Sequence, residues 1–200
     1  MAATANINET SLRHELASLK NQNKFGAGWQ DLIVPITSTK SAGVNQPTGT
    51  AFGPGSPTIY QFAFTNGDEV FGAIHIPHDI KPNTLMYPHV HWTTNGTSTA
   101  QVDWTFTYTV AKGHNQEAFP AETSITLSEN ASGIAWQHMV TEASDAQAFE
   151  APEIDSLIAF RLHRSSATNT DTVFALALDL HYQSDGMLTT TKSPEFTKND

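Results

Sequence analysis

Histidines alternate with apolar residues in one short stretch, and this spacing is the chain's most distinctive chemical feature. Residues 86–92 read MYPHVHW, which places His89 and His91 two apart, and residues 74–79 (IHIPHD) bring two more histidines. In a β-strand, residues two apart point to the same face, so the pattern predicts imidazoles on one face and apolar side chains on the other. Such a face can bind a metal ion, a substrate or another subunit.

The same alternation places five histidines opposite the larger apolar residues of their predicted strands. These are His75, His89, His91, His163 and His181, with Arg161 on the face of His163 and Asp179 on the face of His181. If those strands are neighbours in a sheet, we expect the imidazoles to form one patch with Asp103, Asp179 and Arg161.

One interpretation of this patch is a metal site of cupin type, in which an H-x-H pair holds the ion. The pair His89-x-His91 fits that spacing, with His75 as a third ligand. Two features argue against it. Cupin ligands point into the barrel, whereas the inward face here carries Val90 and Trp92, and residues 93–96 (TTNG) supply no carboxylate. We therefore expect no metal and no other cofactor.

Two interpretations without a metal remain. The histidines are either a polar sheet surface bonded to nearby Thr and Asp, or a face buried between subunits. We favour a subunit interface formed by His75, His89, His91, His163, His181, Asp179 and Arg161. Exposed sheet faces usually carry more Lys and Glu, and histidine provides hydrogen-bonding area without a permanent charge.

Signatures of an enzyme are scarce in this sequence. It contains no G-x-S-x-G, no Gly-rich phosphate loop and no H-E-x-x-H, and without cysteine it has no disulfide or thiolate chemistry. Its four tryptophans, Trp29, Trp92, Trp104 and Trp136, could stack on a sugar, but tryptophan in an all-β chain is more often core. We expect a protein that is not an enzyme.

Composition sets the class of protein. Two hundred residues with 38% hydrophobic and only 15% charged residues predict one globular, β-rich domain. The net charge of −10 and the absence of clustered Lys or Arg argue against nucleic acid and anionic membranes as partners. The first residues, MAATANINETS, do not resemble a signal peptide, so we expect a soluble protein made in a cytoplasm.

The start of the chain predicts a short helix over residues 10–22. Leu12, Leu16 and Leu19 form a narrow apolar stripe on it. An isolated helix of this length is marginal in water, so we expect it to dock on a partner or pair with copies of itself.

The rest of the chain predicts strands. They cover residues 29–36, 59–65, 69–76, 86–93, 101–111, 122–128, 134–141, 157–164 and 172–183, with a long loop at 38–58 and a hairpin signal at Asn66-Gly67. No helical crossover separates them, which predicts an antiparallel β-sandwich or barrel, and the longer connections favour Greek-key or jelly-roll wiring over a simple meander. We expect an arm at 1–58 with the helix and first strand, a sandwich at 59–186 and an extended tail at 187–200.

Alternation within the strands predicts the core. The inward residues are Val90, Trp92, Val102, Trp104, Phe106, Tyr108 and Val110, and in the last strand Phe174, Leu176, Leu178, Leu180 and Tyr182.

The order of several segments resembles a group of tailed-bacteriophage virion proteins. The segments are W-x-D-L, IPHDIKPNTLMYPHVHW, VDWTFTYTVA, AFP-x-x-T, RLHR and LDLHYQSDG, which together span residues 29–186. The P-H-x-H-W and H-Y-x-x-D-G segments are the most specific. The closing residues 187–200 depart from the pattern, since they are Thr-rich and nearly neutral where the resembled proteins often end in a basic, Tyr-containing segment.

This resemblance implies a virion structural protein with a jelly-roll sandwich that assembles as a homotrimer. Its partners would be copies of itself and the major capsid or other virion proteins, as a decoration or cement protein of the head. A tail-fibre, spike or adaptor protein that binds a host glycan or another fibre protein is the alternative, and a cupin-like metalloenzyme is the third.

Overall fold

The computed structural model describes residues 27–165 and 168–186, and these residues are almost entirely β-structure. The strands are β1 (Ala27–Pro35), β2 (Thr48–Ala51), β3 (Tyr60–Phe64), β4 (Glu69–His75), β5 (Leu85–Thr94), β6 (Gln101–Lys112), β7 (Thr123–Asn130), β8 (Met139–Glu142), β9 (Phe149–Glu150), β10 (Ser156–Arg164) and β11 (Val173–Asp185). Two short 3-10 turns, Ile36–Ser38 and Gly113–Asn115, interrupt them. None of the described helical segments has the length and apolar character needed to cross a membrane.

Two antiparallel sheets make up the domain. Sheet A has the order β2-β3-β11-β5-β8, with β1 also paired to β11 and β9 to β5, and sheet B has the order β4-β10-β6-β7. Consecutive strands mostly lie in opposite sheets, and only β6 and β7 pair directly as neighbours in sequence within sheet B. Strands β3-β11-β5-β8 facing β4-β10-β6-β7 are the eight strands of a jelly roll. This confirms the predicted fold class.

Three local predictions were wrong. The Asn66-Gly67 turn does not close a hairpin, because β3 pairs with β2 and β11 whereas β4 pairs with β10 in the other sheet. The predicted loop at 38–58 contains the short strand β2. The strand expected at 134–141 begins only at Met139, since the preceding residues turn and Trp136 has a φ of 65°.

Strands β1 and β2 both pair with strands of the sandwich. The boundary at residue 58 between an arm and the sandwich stays a prediction. The predicted helix at 10–22, with Leu12, Leu16 and Leu19, and the tail at 187–200 lie outside the described residues.

The core fills the space between the two sheets. Large side chains at its centre are fully buried: Val90, Trp92, Trp104, Phe106, Leu178 and Leu180 are each 0% exposed. Tyr108 is only partly buried and lies at the margin, where its ring stacks on Phe106 and Phe149 at 5.2 and 4.5 Å between centroids. Burial of such apolar area is the main stabilising contribution to the fold.

The long strand β11 carries a bulge that breaks its alternation. The pairing register with β5 shifts between Ala175 and Ala177, so Val173 and Ala175 face the central core together with Leu178 and Leu180. The prediction that Phe174 and Leu176 join this core was wrong. Phe174 is instead buried in a separate aromatic group with Phe52 and Trp136, and Leu176 lies at the shift, partly exposed.

Candidate functional site

The outer face of sheet A carries the histidines of β5. His89 and His91 alternate with the buried Val90 and Trp92, so their imidazoles point away from the core. The chain folds this way locally because the apolar set of β5 must face sheet B, which leaves the other set outside.

Antiparallel pairing brings further polar side chains to the same face. His89 lies opposite Asp179 of β11 and opposite Glu142 of β8, and His181 lies opposite Asp31 of β1. Directly opposed residues have Cβ atoms about 4.5–5.5 Å apart, which is close enough for their side chains to meet. We call this set, together with the nearby His138, the sheet A cluster: Asp31, His89, His91, His138, Glu142, Asp179 and His181.

Two members of the cluster are buried although they lie on an outer face. His89 is 2% exposed and Asp179 is 4% exposed. The Nε2 atom of His89 lies 3.6 Å from Oδ2 of Asp179, and Nε2 of His91 lies 3.2 Å from that same oxygen. Among the described residues, Oδ1 of Asp179 has no hydrogen-bond partner, and Nδ1 of His89 lies 4.0 Å from Oε1 of Glu142. Buried polar atoms without partners are rare and mark a place where something else binds or where stability is lost.

The remaining members of the sheet A cluster lie around His89 and Asp179. His181 bonds through Nε2 to Oδ1 of Asp31 at 2.7 Å and through Nδ1 to Glu142. Its ring lies against that of His89, with 4.0 Å between centroids. His91 Nδ1 lies 2.8 Å from Nε2 of His138, which places a hydrogen bond behind the His91 ring.

Burial shifts the pKa values inside the cluster. Desolvation lowers the pKa of His89, and the neighbouring His181 lowers it further. Desolvation likewise lowers the pKa of His91. The carboxyl of Asp179 has its pKa raised to about 6, first by burial and then by Asp31, while His181 opposes the shift. Near neutral pH the centre of the cluster is therefore two uncharged imidazoles beside one carboxylate.

Several predicted patch residues lie elsewhere. His163 and Arg161 belong to β10 in sheet B, where Arg161 Nη1 pairs with Oε2 of Glu69 at 3.3 Å. Burial, and then the charge of Arg161, lower the pKa of His163. Asp103 lies in β6, also in sheet B. The expectation of a single patch was therefore wrong, because it joined residues from opposite sheets.

His75 lies in a second group, in which three histidines surround one carboxylate. Oδ1 of Asp155 is 2.9 Å from Nε2 of His75 and 3.6 Å from Nε2 of His78, and Oδ2 is 2.6 Å from Nδ1 of His114. We call this the Asp155 cluster. The cupin-type set of His75, His89 and His91 is thus divided between two sheets.

The carboxylate beside His91, Asp179, comes from a different strand, β11. Asp179 and His181 carried a signal, since they alternate with Leu178 and Leu180. No alternation pointed to Glu142 or His138, because β8 is only four residues long and His138 precedes it.

Exposed apolar side chains surround the sheet A cluster. Trp29 and Ile33 of β1 are 56% and 61% exposed, and Val140 of β8 is 44% exposed. The ring of Trp29 meets Tyr87 edge-on, with 5.6 Å between centroids. A shallow pocket of about 370 Å³ lies there, lined by Trp29, Tyr87, Glu142, Asp145 and His181. Trp92 and Trp104 do not share this surface, since both are core, and Trp136 packs against Phe52 and Phe174.

Comparison with known proteins gives only distant structural likenesses. No family model and no curated protein matches the chain. The CBM35 module from Cellvibrio japonicus Abf62 aligns at 12% identity and a TM-score of 0.46, over 76% of this chain and 92% of that one. A family 35 carbohydrate binding module from an environmental isolate aligns at 8% identity and a TM-score of 0.41, over 74% and 90%. The xylan-binding module CBM15 aligns at 12% identity and a TM-score of 0.35, over 78% and 97%. With TM-scores this low, the description of the fold rests on the strand order itself.

Proposed function

We propose that this chain is a non-enzymatic virion structural protein whose copies meet through the outer face of sheet A. The observation that supports this most is the pair of large, exposed apolar side chains Trp29 and Ile33 on β1, beside the histidines of the sheet A cluster. The trimeric state and the place on the head, as a decoration or cement protein, come from the sequence resemblance.

Strand β1 lies at an edge of sheet A. Within the described residues it pairs only with β11, so its other edge is free. A free edge with exposed apolar side chains is prone to uncontrolled association unless another chain covers it. Val140, at the far side of the same face, adds a separate exposed apolar side chain, with the polar sheet A cluster between it and β1.

A second copy of this chain is the occupant that the chemistry favours. The face offers carboxylates at Asp31, Glu142 and Asp145 together with imidazoles at His138 and His181, so it has both partners of a hydrogen bond. Aromatic residues are enriched at interface cores, and Trp29 and Tyr87 supply two of them on this face.

Light scattering on the full chain tests assembly. We expect a mass that is a multiple of 21.7 kDa at micromolar concentration. Ile33→Lys should reduce that mass to the monomer, since it puts a charge into the contact. The matched control is Ile134→Lys in the loop before β8, because both isoleucines are 61% exposed. A monomeric wild type, or equal effects of the two variants, would contradict the proposal.

The virion role needs a separate measurement. An electron-microscopy map of the whole particle should show density of this size in regular positions on the head. Density confined to the tail, or none at all, would count against a decoration protein even if the chain forms trimers in solution.

A second candidate function is glycan binding by a fibre or adaptor protein, which the pocket at Trp29 favours. An exposed tryptophan and a tyrosine stand there beside the carboxylates of Glu142 and Asp145, a mixture of apolar area and polar groups that suits a sugar. Glycan-array binding that is lost in Trp29→Ala would favour this function. Since a second copy would cover the same pocket, assembly lost in Trp29→Ala without any glycan binding would favour the first.

A further inference from the structure

Three ligand atoms on the outer face of sheet A converge on one point. Oδ2 of Asp179 lies 3.6 Å from Nε2 of His89 and 3.2 Å from Nε2 of His91. The three residues each offer a ligand atom within 4.8 Å of the others. Ligands at about 2.0–2.1 Å from a tetrahedral zinc ion are about 3.3 Å apart, which falls between the two spacings.

Burial without hydrogen bonds is the second observation. Asp179 is more than nine-tenths buried, its Oδ1 atom has no hydrogen-bond partner among the described residues, and the distance of 3.6 Å to His89 is too long for a hydrogen bond. A buried carboxylate is normally neutralised by close donors. The two imidazole nitrogens lie 3.2 and 3.6 Å from Oδ2, close to the spacing of two ligands on one tetrahedral ion.

The orientation of His91 is fixed from behind. Its Nδ1 atom lies 2.8 Å from Nε2 of His138, so His91 can donate a proton on Nδ1 to His138 when its Nε2 lone pair binds an ion beside Asp179. Metal-bound histidines characteristically donate their second ring N–H to a hydrogen-bond acceptor, which fixes the orientation of the ring and its tautomer.

The geometry points to a binding site for one divalent transition-metal ion, held by His89 Nε2, His91 Nε2 and Asp179 Oδ2. Two imidazoles and one carboxylate suit Zn²⁺ and related ions and are a poor match for Ca²⁺ or Mg²⁺, which prefer oxygen ligands. A fourth position remains for water or for a group from a docked partner. This site is independent of the virion proposal.

A neighbouring triad does not form a second site. Asp31, His89 and His181 also offer ligand atoms within 4.8 Å of one another. However, Nε2 of His181 and Oδ1 of Asp31 are 2.7 Å apart, which is the distance of a direct hydrogen bond, and Asp31 is exposed.

Metal titration of the full chain, purified without an affinity tag and treated with a chelator, tests the site. We expect Zn²⁺ to bind at one ion per chain by calorimetry, and Co²⁺ to give the visible absorption of a four- or five-coordinate nitrogen–oxygen site. Asp179→Asn and His91→Ala should each weaken Zn²⁺ binding by more than about a hundredfold, and His138→Ala by about tenfold. Circular dichroism of each metal-free variant establishes that it is folded.

His75→Ala is the matched control, because His75 belongs to the Asp155 cluster and should leave binding unchanged. The inference fails if the wild type binds neither Zn²⁺ nor Co²⁺, or if folded Asp179→Asn binds as tightly as the wild type. It also fails if His75→Ala abolishes binding, since the ion would then lie at Asp155.

Discussion

The sheet A cluster and the Asp155 cluster are built from the same two residue types, histidine and aspartate, in different geometries. In the Asp155 cluster, His75 and His114 approach different oxygens of the carboxylate at hydrogen-bond distance, and their side chains are 57% and 58% exposed. In the sheet A cluster, His89 and His91 approach one oxygen of Asp179 from 3.6 and 3.2 Å, respectively.

This difference separates an ion-pair group with exposed histidines from a buried, preorganised site. The Asp155 side chain is itself only 9% exposed, but its partners His75 and His114 are open to solvent, so water and salt weaken these pairs. The buried Asp179 has lost its water, and its Oδ1 atom has no hydrogen-bond donor among the described residues, so the fold alone gives no full reason for a carboxylate there. A bound cation supplies that reason, and the comparison can be tested by treating the two clusters alike.

The largest expected effect is metal-dependent stability. At a free Zn²⁺ concentration of about 100 times the dissociation constant, binding should raise the free energy of unfolding of the wild type by about 2.7 kcal/mol. His89→Ala should lose this increase, while His75→Ala should retain it. Urea denaturation with and without Zn²⁺ measures both, and an equal increase in the two variants would remove the distinction between the clusters.

The next effect is a difference in sign between two aspartate-to-asparagine changes in metal-free protein at pH 7. Because burial raises the pKa of Asp179 to about 6, its ionised form destabilises the fold. Asp179→Asn should therefore increase the free energy of unfolding, by about 1–2 kcal/mol after allowance for solvent screening. Asp155→Asn should decrease it by up to about 1 kcal/mol, since it weakens the bonds to His75 and His114. Chemical denaturation measures both, and destabilisation by Asp179→Asn would contradict the account.

The smallest effect is on pH dependence. His89 and His91 have folded-state pKa values below 6.5, so the unfolded chain binds more protons at these residues than the folded chain does. Their contribution therefore lowers the free energy of unfolding as pH falls below 6.5. Asp179 acts in the opposite direction, because its folded-state pKa is raised and the fold gains stability as pH falls from about 6 towards 3.8. Metal-free Asp179→Asn should thus lose stability between pH 7 and pH 5 more steeply than the wild type, by under about 1 kcal/mol. Parallel pH profiles of the two would contradict this.

The sequence predicted the fold better than the site. Alternation in β5 and β6 was sufficient to place Trp92 and Trp104 inside, since a strand has only two faces. It failed at Phe174 and Leu176, because a single bulge in β11 reverses the alternation and leaves no mark in composition.

The candidate site depended on which strands are neighbours, and alternation carries no such information. His89 meets Asp179 only because β5 pairs with β11, and His75 is excluded only because β4 lies in sheet B. The expectation that no metal binds rested on the outward face of these histidines and on the lack of a carboxylate close to His91 in sequence. The structure keeps the outward face, but it brings Asp179 to His91 from a strand more than eighty residues later. The three-dimensional arrangement thus supports a metal site that the spacing of residues in the sequence argued against.

Crystallography with Zn²⁺ tests the central claim most directly. Anomalous diffraction at the zinc edge from crystals of the metal-loaded chain should show one strong peak on the outer face of sheet A, about 2.0–2.2 Å from His89 Nε2, His91 Nε2 and Asp179 Oδ2. A peak at Asp155 instead, or no peak at a saturating concentration of the ion, would contradict the account.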